Sequence, residues 1–237
     1  MTTARARQTG FSLVEMAIVM VIIGLMIGGL LTPLSVQLEQ HKVADTQKAL
    51  DEAREALTGF ALRNGYLPCP AVSAANGLED RAGSACRDGK RVGFLPWATL
   101  GLSKLDSWGH LYRYSVSPAY ANSQALFGLA TPRDITIGTR DARGNLVAAS
   151  ALNDIPAVVM SHGKNGYGAF SELGIRVAAT AAGNLDERTN LGEAGIAFVA
   201  RTPGDASTPG GEYDDLVTWL SPNVLFNRMV AAGTLPH

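Results

Sequence analysis

The amino-acid sequence predicts an α+β fold in which a long N-terminal helix packs on a mostly antiparallel sheet, with a short helix at the C-terminus. Three features predict this class: an apolar run near the N-terminus, an amphipathic continuation of it, and a later series of short alternating segments separated by turn residues. The 237 residues suffice for one domain with a real core or two small ones. With 20 basic and 21 acidic residues the net charge is −1, which argues against electrostatically driven nucleic-acid binding.

The first predicted element is a membrane-spanning assembly helix over residues 11–32. The stretch Met16–Leu31 contains no charged residue, and the 21 residues from Phe11 to Leu31 would reach about 30 Å as a helix, the thickness of a hydrocarbon core. Arg5 and Arg7 precede it without an acidic residue, so the positive-inside rule places the N-terminus in the cytoplasm and the rest of the chain on the far side. On hydropathy alone, a plain signal anchor fits as well.

Glu15 is the only charged residue between Phe11 and Leu38. A carboxylate in a membrane-spanning segment costs roughly 2.5 kcal/mol or more, so it indicates a function and a partner. With Gly10 before Phe11 and an apolar run after Glu15, the sequence GFSLVE at residues 10–15 resembles the prepilin signature of the type IV pilin and pseudopilin superfamily.

This resemblance implies how the N-terminus is processed and used. Residues 1–10 would be a leader peptide, removed between Gly10 and Phe11 by a prepilin peptidase that also methylates the new N-terminal Phe11. The Glu15 carboxylate would pair with the N-terminal amine of a neighbouring subunit during assembly, because two such groups lower each other's cost in lipid. The implied partners are the peptidase, other pilin or pseudopilin subunits, an inner-membrane assembly platform and membrane lipid.

Residues 33–64 are predicted to continue the helix in amphipathic form. Apolar residues recur every seven positions, with further apolar residues on the same side: Val36, Val43, Leu50 and Leu57, joined by Ala53, Phe60 and Ala61. The pattern favours packing on a sheet of the same chain, although a coiled-coil partner would use the same stripe. Asn64 and Gly65 form a good C-terminal stop.

Residues 65–237 are predicted to form one exported globular α+β head. Strands are predicted at residues 110–116, 134–139, 145–149, 155–161, 195–201 and 216–220. Arg140–Gly144 would close a hairpin between the second and third of these. A final helix would begin at Ser221 and Pro222 and end before Gly233.

Residues 106–114 (DSWGHLYRY) resemble a D-x-W-G-x-x-Y-x-Y stretch of the major pseudopilins of type II secretion. The resemblance implies that this segment enters the first strand of the sheet. The physical interpretation is structural: Trp108 packs, Gly109 turns, and the tyrosines alternate along the strand.

The two cysteines, Cys69 and Cys86, both fall on the predicted exported side, where oxidising conditions favour a disulfide between them. Closing a loop of this length is worth about 3 kcal/mol in the chain-entropy model. Neither the C-x-x-C spacing of a redox motif nor the additional Cys and His residues of a zinc site are present nearby.

Four carboxylates lie in a glycine-rich loop before the last predicted strand: Asp205, Glu212, Asp214 and Asp215. Calcium prefers six to eight oxygen ligands from carboxylates and loop carbonyls. Residues 215–219 (DLVTW) are similar to the end of a calcium-binding loop in major pseudopilins, which implies a calcium site here. The spacing from Asp205 is longer and no D-x-D-x-D pattern is present, so a solvated acidic turn remains the alternative. No other cofactor is expected.

The predicted function is that of a structural subunit and not of an enzyme. The sequence lacks a phosphate loop, a G-x-S-x-G elbow and an H-E-x-x-H motif, and Ser161 with His162 fits a strand that runs into a turn. The subunit would wait in the bacterial inner membrane with its head in the periplasm and then enter a periplasmic or cell-surface filament. The chain is longer than a typical major pilin, so the resemblance implies a minor component. The filament could serve a type IV pilus, type II secretion or DNA uptake. The alternative is a signal-anchored periplasmic enzyme or ligand-binding domain.

Overall fold

The computed structural model describes residues 12–235, and for residues 27–34 it describes the helical backbone alone. The chain divides into two compact units, one ending at Lys42 and the other beginning at Val43. The predicted leader, the cleavage site at Gly10 and the methylated Phe11 lie outside the described residues.

Helix α1 (Leu13–Asn64) begins in the first unit. Apolar side chains of its first turns are exposed in the single chain, for example Leu13 at 91% and Leu25 at 72%. Within the part of the chain that the structure describes, no helix is both long enough and apolar enough to cross a membrane. The predicted span over residues 11–32 includes Phe11 and the side chains of residues 27–32, which are not among those described, and it stays a prediction.

The second unit contains the remaining elements of the described chain. Its further helices are α2 (Trp97–Leu100), α3 (Leu185–Asn190) and α4 (Pro222–Ala231). Its strands are β1 (Arg81–Ala82), β2 (Ala85–Cys86), β3 (Val92–Phe94), β4 (Arg113–Val116), β5 (Thr136–Arg140), β6 (Leu146–Ala148), β7 (Ala157–Ser161), β8 (Ala197–Val199) and β9 (Leu216–Trp219). Short 3-10 turns follow β2 and β4, at Arg87–Gly89 and Pro118–Tyr120.

The main sheet is antiparallel throughout, with strand order β3-β4-β7-β9. Its core with α1 and α4 contains Leu50 and Leu57 of α1, Tyr112 and Tyr114 around β4, and Met229 of α4. The predicted alternation of the tyrosines is therefore confirmed. Burial of a leucine or a large aromatic side chain contributes about 1.5–3 kcal/mol, so this face supplies much of the head's stability.

The predicted apolar stripe of α1 is correct only in its second half. Leu50, Ala53 and Leu57 are almost fully buried, whereas Val36 and Val43 are 52% and 37% exposed. Within the second unit, the apolar cluster that α1 shares with the sheet contains α1 residues from Ala49 onward.

A second, three-stranded sheet has the order β6-β5-β8, in which β5 and β8 are parallel. Parallel strands need a long connection, and here β6, β7 and α3 lie between β5 and β8 in the chain. A second apolar cluster joins this sheet to the main one through Ile137, Val158, Met160 and Phe198. The prediction of a mostly antiparallel α+β head is confirmed, with this one parallel pair.

The predicted strands and the C-terminal helix are present at the expected places, with shorter strands, and Ser221 is the N-cap of α4. Strands β1 to β3 and helices α2 and α3 were not predicted from the sequence. The resemblance of residues 106–114 implied entry into the first strand, but β1, β2 and β3 precede β4. These missed elements are too short to show a period against a background of glycine and proline.

Cys69 and Cys86 form the predicted disulfide, which joins the segment after α1 to strand β2. Glu79 strengthens the same segment: its Oε2 accepts hydrogen bonds from the Cys69 N–H at 3.1 Å and from Arg81 Nη2 at 2.9 Å. The loop therefore has covalent and polar support where it has little apolar core of its own.

Candidate functional site

The described part of the prepilin-like sequence starts at Ser12, directly before α1. The Ser12 N–H donates to Glu15 Oε2 at 3.0 Å, and the Glu15 N–H donates to Ser12 Oγ at 3.2 Å. This reciprocal pair is a capping box, which satisfies two free donors at the helix start. The acidic residue in the first turn also interacts favourably with the helix dipole. Glu15 thus has a partner within its own chain, a role that the S-x-x-E spacing could have predicted.

A second site lies in the head, where three carboxylates converge. Glu187, Asp214 and Asp215 each place one carboxylate oxygen within 4.8 Å of the others. Glu187 and Asp215 are 1% and 3% exposed, and Asp214 is half-buried. We call these three residues the acidic centre.

Two members of the acidic centre were predicted from the sequence, and the third was not. Asp214 and Asp215 come from the predicted loop, whereas Glu187 comes from α3. Asn184 and Glu187 repeat the N-x-x-E spacing of a helix start, and that spacing was the available signal for α3.

The other two residues predicted for the calcium loop lie outside the acidic centre. Asp205 is exposed, and its Oδ1 accepts hydrogen bonds from the N–H and the hydroxyl of Ser207. Glu212 is half-exposed, and its N–H donates to Asn184 Oδ1 at 3.2 Å.

Neutral donors hold the outer oxygens of the acidic centre in place. Glu187 accepts hydrogen bonds from Asn165 Nδ2 at 2.7 Å and from the Thr180 hydroxyl at 2.6 Å. Asp214 Oδ2 accepts from the Asn165 N–H at 2.8 Å. Such outer contacts orient carboxylates toward a common point, as they do around bound metal ions.

Asp215 has the same kind of support: its Oδ2 accepts a hydrogen bond from Asn190 Nδ2 at 2.7 Å. Its Oδ1 lies 3.6 Å from Nδ1 of His162, a residue that is 2% exposed. The His162 Nδ1 is itself buried without a hydrogen-bond partner.

Asp214 shows the electrostatic cost of this arrangement. Burial first, and then the neighbouring Asp215 and Glu187 carboxylates, raises the pKa of Asp214 to about 7, against the opposing hydrogen bond from Asn165. Its Oδ1 is buried without a hydrogen-bond partner. Gly163 makes the close approach possible, because at its φ of +59° a Cβ would overlap the backbone oxygen of Asp214. The acidic centre therefore offers oxygen ligands to a hard cation.

Ser161 is not arranged as a nucleophile. Its hydroxyl donates to Asp106 Oδ2 at 2.5 Å, and Asp106 Oδ1 accepts from the N–H groups of Trp108 and His110. With Gly109 at a φ of +84°, these contacts form the turn that leads into β4. The expectation that Ser161 and His162 end a strand is confirmed, since β7 ends at Ser161.

Comparison with known proteins identifies the N-terminal segment. Residues 5–31 match the family model described as the prokaryotic N-terminal methylation motif, which is the prepilin signal of type IV pilins and pseudopilins. The chain thus carries the N-terminus of a type IV pilin-like or pseudopilin precursor, and its α+β architecture is consistent with a pilin-like fold. Neither a curated protein nor a solved structure shows significant similarity to the chain.

Proposed function

We propose that the protein is a structural subunit that a prepilin peptidase processes and that assembles from the inner membrane into a pilus or pseudopilus as a minor component. The match of residues 5–31 to the methylation motif carries this proposal, because it covers Gly10, Phe11 and Glu15 together. The exposed apolar side chains at the start of α1 support it, since such a surface needs lipid or partner subunits to cover it. The motif favours a structural subunit over an enzyme.

Processing is tested by co-expressing the full chain with a prepilin peptidase and measuring its intact mass. We expect loss of residues 1–10 and addition of one methyl group to Phe11. A Gly10→Val variant serves as the control, because a branched side chain at the cleavage site should block processing. An unchanged mass for the parent chain contradicts the proposal and favours the signal-anchored alternative.

Assembly is tested at Glu15, where capping and charge pairing can be separated. Glu15→Gln keeps an acceptor for the Ser12 N–H but loses the charge, whereas Ser12→Ala weakens the cap and keeps the charge. We expect both chains to enter the membrane, but only Ser12→Ala to be recovered in sheared filaments. If Glu15→Gln enters filaments as well as the parent chain does, Glu15 acts as a cap and not as an assembly partner.

We further propose that the acidic centre binds calcium in the exported head. The buried Asp214 Oδ1 without a hydrogen-bond partner supports this function, because a cation would complete its coordination and offset the repulsion from Glu187 and Asp215. Thermal unfolding of the full chain in detergent, with calcium and with excess chelator, tests it. We expect a higher melting temperature with calcium; identical curves contradict the proposal.

A further inference from the structure

A cavity of about 200 Å³ lies on the face of the main sheet that points away from α1. Tyr112 and Tyr114 face the core shared with α1, so strand alternation places Arg113 on the opposite face. The strand register sets Phe94 of β3 beside Arg113. Both residues line the cavity.

The walls of this cavity are aromatic and aliphatic. Phe94 and Phe170 meet edge to face, with ring centroids 5.2 Å apart and planes at 78°. Val92 and Leu111 complete the apolar lining. A flat apolar group fits such walls, because aromatic rings favour offset or edge-to-face contact with one another.

Arg113 brings a positive charge that has no ion-pair partner among the described residues. Its Nη2 donates to the backbone oxygens of Leu191 at 3.3 Å and Gly192 at 2.8 Å, while its Nε is buried without a hydrogen-bond partner. No carboxylate among residues 12–235 lies within ion-pair distance of Arg113. Burial first, and then the charge of Arg176, lowers the pKa of Arg113, against the opposing charges of Asp215 and Glu193. A buried donor without an acceptor is unfavourable, so a bound anion would be stabilised here.

His162 separates this cavity from the acidic centre. Its ring is part of the cavity lining, and its Nδ1 lies 3.6 Å from Asp215 Oδ1. The proposed calcium site at the acidic centre and the anion site at Arg113 are therefore two different sites.

We propose that this cavity binds a small aromatic carboxylate, with the carboxylate on Arg113 and the ring against the apolar walls that Phe94 and Phe170 form. A guanidinium stabilises a carboxylate through charge-assisted hydrogen bonds, and the Arg113 Nε has no acceptor within the described chain. A cavity of roughly 150 Å³ holds a benzene ring, so this one has room for a benzoate-sized molecule. The binding would be a property of the head and does not depend on filament assembly.

The experiment is a calorimetric titration of the full chain in detergent with benzoate. Three further compounds are titrated for comparison. Acetate lacks the ring, benzyl alcohol lacks the charge, and inorganic phosphate lacks both the ring and the planar carboxylate. We expect benzoate to bind more tightly than each of these by about tenfold or more. Equal affinity for phosphate would overturn the aromatic carboxylate class, and absence of benzoate binding would overturn the site.

Substitutions at Arg113, with an exposed arginine as control, locate the binding. Arg113→Gln should weaken benzoate binding by about tenfold or more, and Arg143→Gln, which changes an exposed arginine, should leave it unchanged. If Arg113→Gln does not fold, Arg113→Lys keeps the charge but loses the planar fork and should still weaken binding. In the parent chain, the ¹⁵N signal of the Arg113 Nε–H should shift on titration. Undiminished binding by the folded Arg113 variant refutes the proposal.

Discussion

Asp186 and Glu187 are consecutive residues of α3 and both are 1% exposed, yet their carboxylates are stabilised in opposite ways. Asp186 Oδ1 accepts from Arg140 Nη2 at 2.6 Å, and Asp186 Oδ2 accepts from Arg201 Nε at 2.7 Å. Two cations thus surround one buried anion. This part of the head links β5, α3 and the segment after β8 into one polar unit.

Glu187 is surrounded by other carboxylates instead of by arginines. Asp214 and Asp215 lie beside it. The Glu187 carboxylate accepts hydrogen bonds from the neutral side chains of Asn165, Thr180 and Asn184. Neutral donors orient carboxylates but do not cancel their mutual repulsion. The Asp186 carboxylate is thus neutralised within the chain, whereas the carboxylates around Glu187 have neutral donors only and would gain from the proposed cation.

The largest effect on the free energy of unfolding is expected when one of the two arginines that bind Asp186 is replaced. Arg201→Gln removes one of its two cations and a guanidinium stacked 4.5 Å over the Tyr213 ring, so we expect a loss of about 2–4 kcal/mol in the free energy of unfolding. Chemical denaturation of the full chain measures it. The exposed Arg143→Gln variant should change the free energy by about 0.5 kcal/mol or less. Equal values for the two variants would show that Asp186 does not depend on Arg201.

The second largest effect is expected on the stabilisation by calcium when Asp214 is replaced. Asp214→Asn removes one charged ligand from the acidic centre, so the stabilisation by calcium should be largely lost. At a free calcium concentration of about 100 times Kd, binding stabilises the folded chain by about 2.7 kcal/mol, which sets the scale of that loss. Melting temperatures with calcium and with chelator measure it, and an undiminished calcium response would remove Asp214 from the site.

Without calcium, Asp214 should make stability depend on pH. Its pKa is raised from 3.8 to about 7, so between these values the folded chain binds more protons than the unfolded chain and stability falls as the pH rises. After allowance for its partial exposure, we expect a loss of the order of 1–2 kcal/mol from pH 4 to pH 8. Subtracting the pH profile of Asp214→Asn isolates this contribution. A stability that rises through this range because of Asp214 would contradict the assignment.

The smallest effects are expected at the two loop carboxylates outside the acidic centre. Asp205→Asn and Glu212→Gln should keep the calcium response of the parent chain, because neither residue belongs to the three-carboxylate group. The same melting experiment tests both. Loss of the response in either variant would mean that the longer loop predicted from the sequence contributes ligands.

Much of the fold was accessible from local patterns. The alternation at residues 110–116 and the Ser221 and Pro222 start of α4 predicted β4 and the last helix correctly. The predicted apolar stripe of α1 starts too early, at Val36, which is exposed in the structure. A heptad spacing alone does not show at which residue the burial of a helix begins. Helix α3, with only six residues, carries too little periodicity to be found by hydrophobic pattern.

The sequence by itself determined the prepilin signal and the pairing of Cys69 with Cys86, because the first depends on contiguous residues and the second on there being two cysteines. It also indicated Asp214 and Asp215. Only the tertiary structure decided that Glu187 joins them and that Arg113 faces a cavity. The physical reason is that these contacts depend on strand register and on close approach between distant segments, and neither is encoded in the spacing of neighbouring residues.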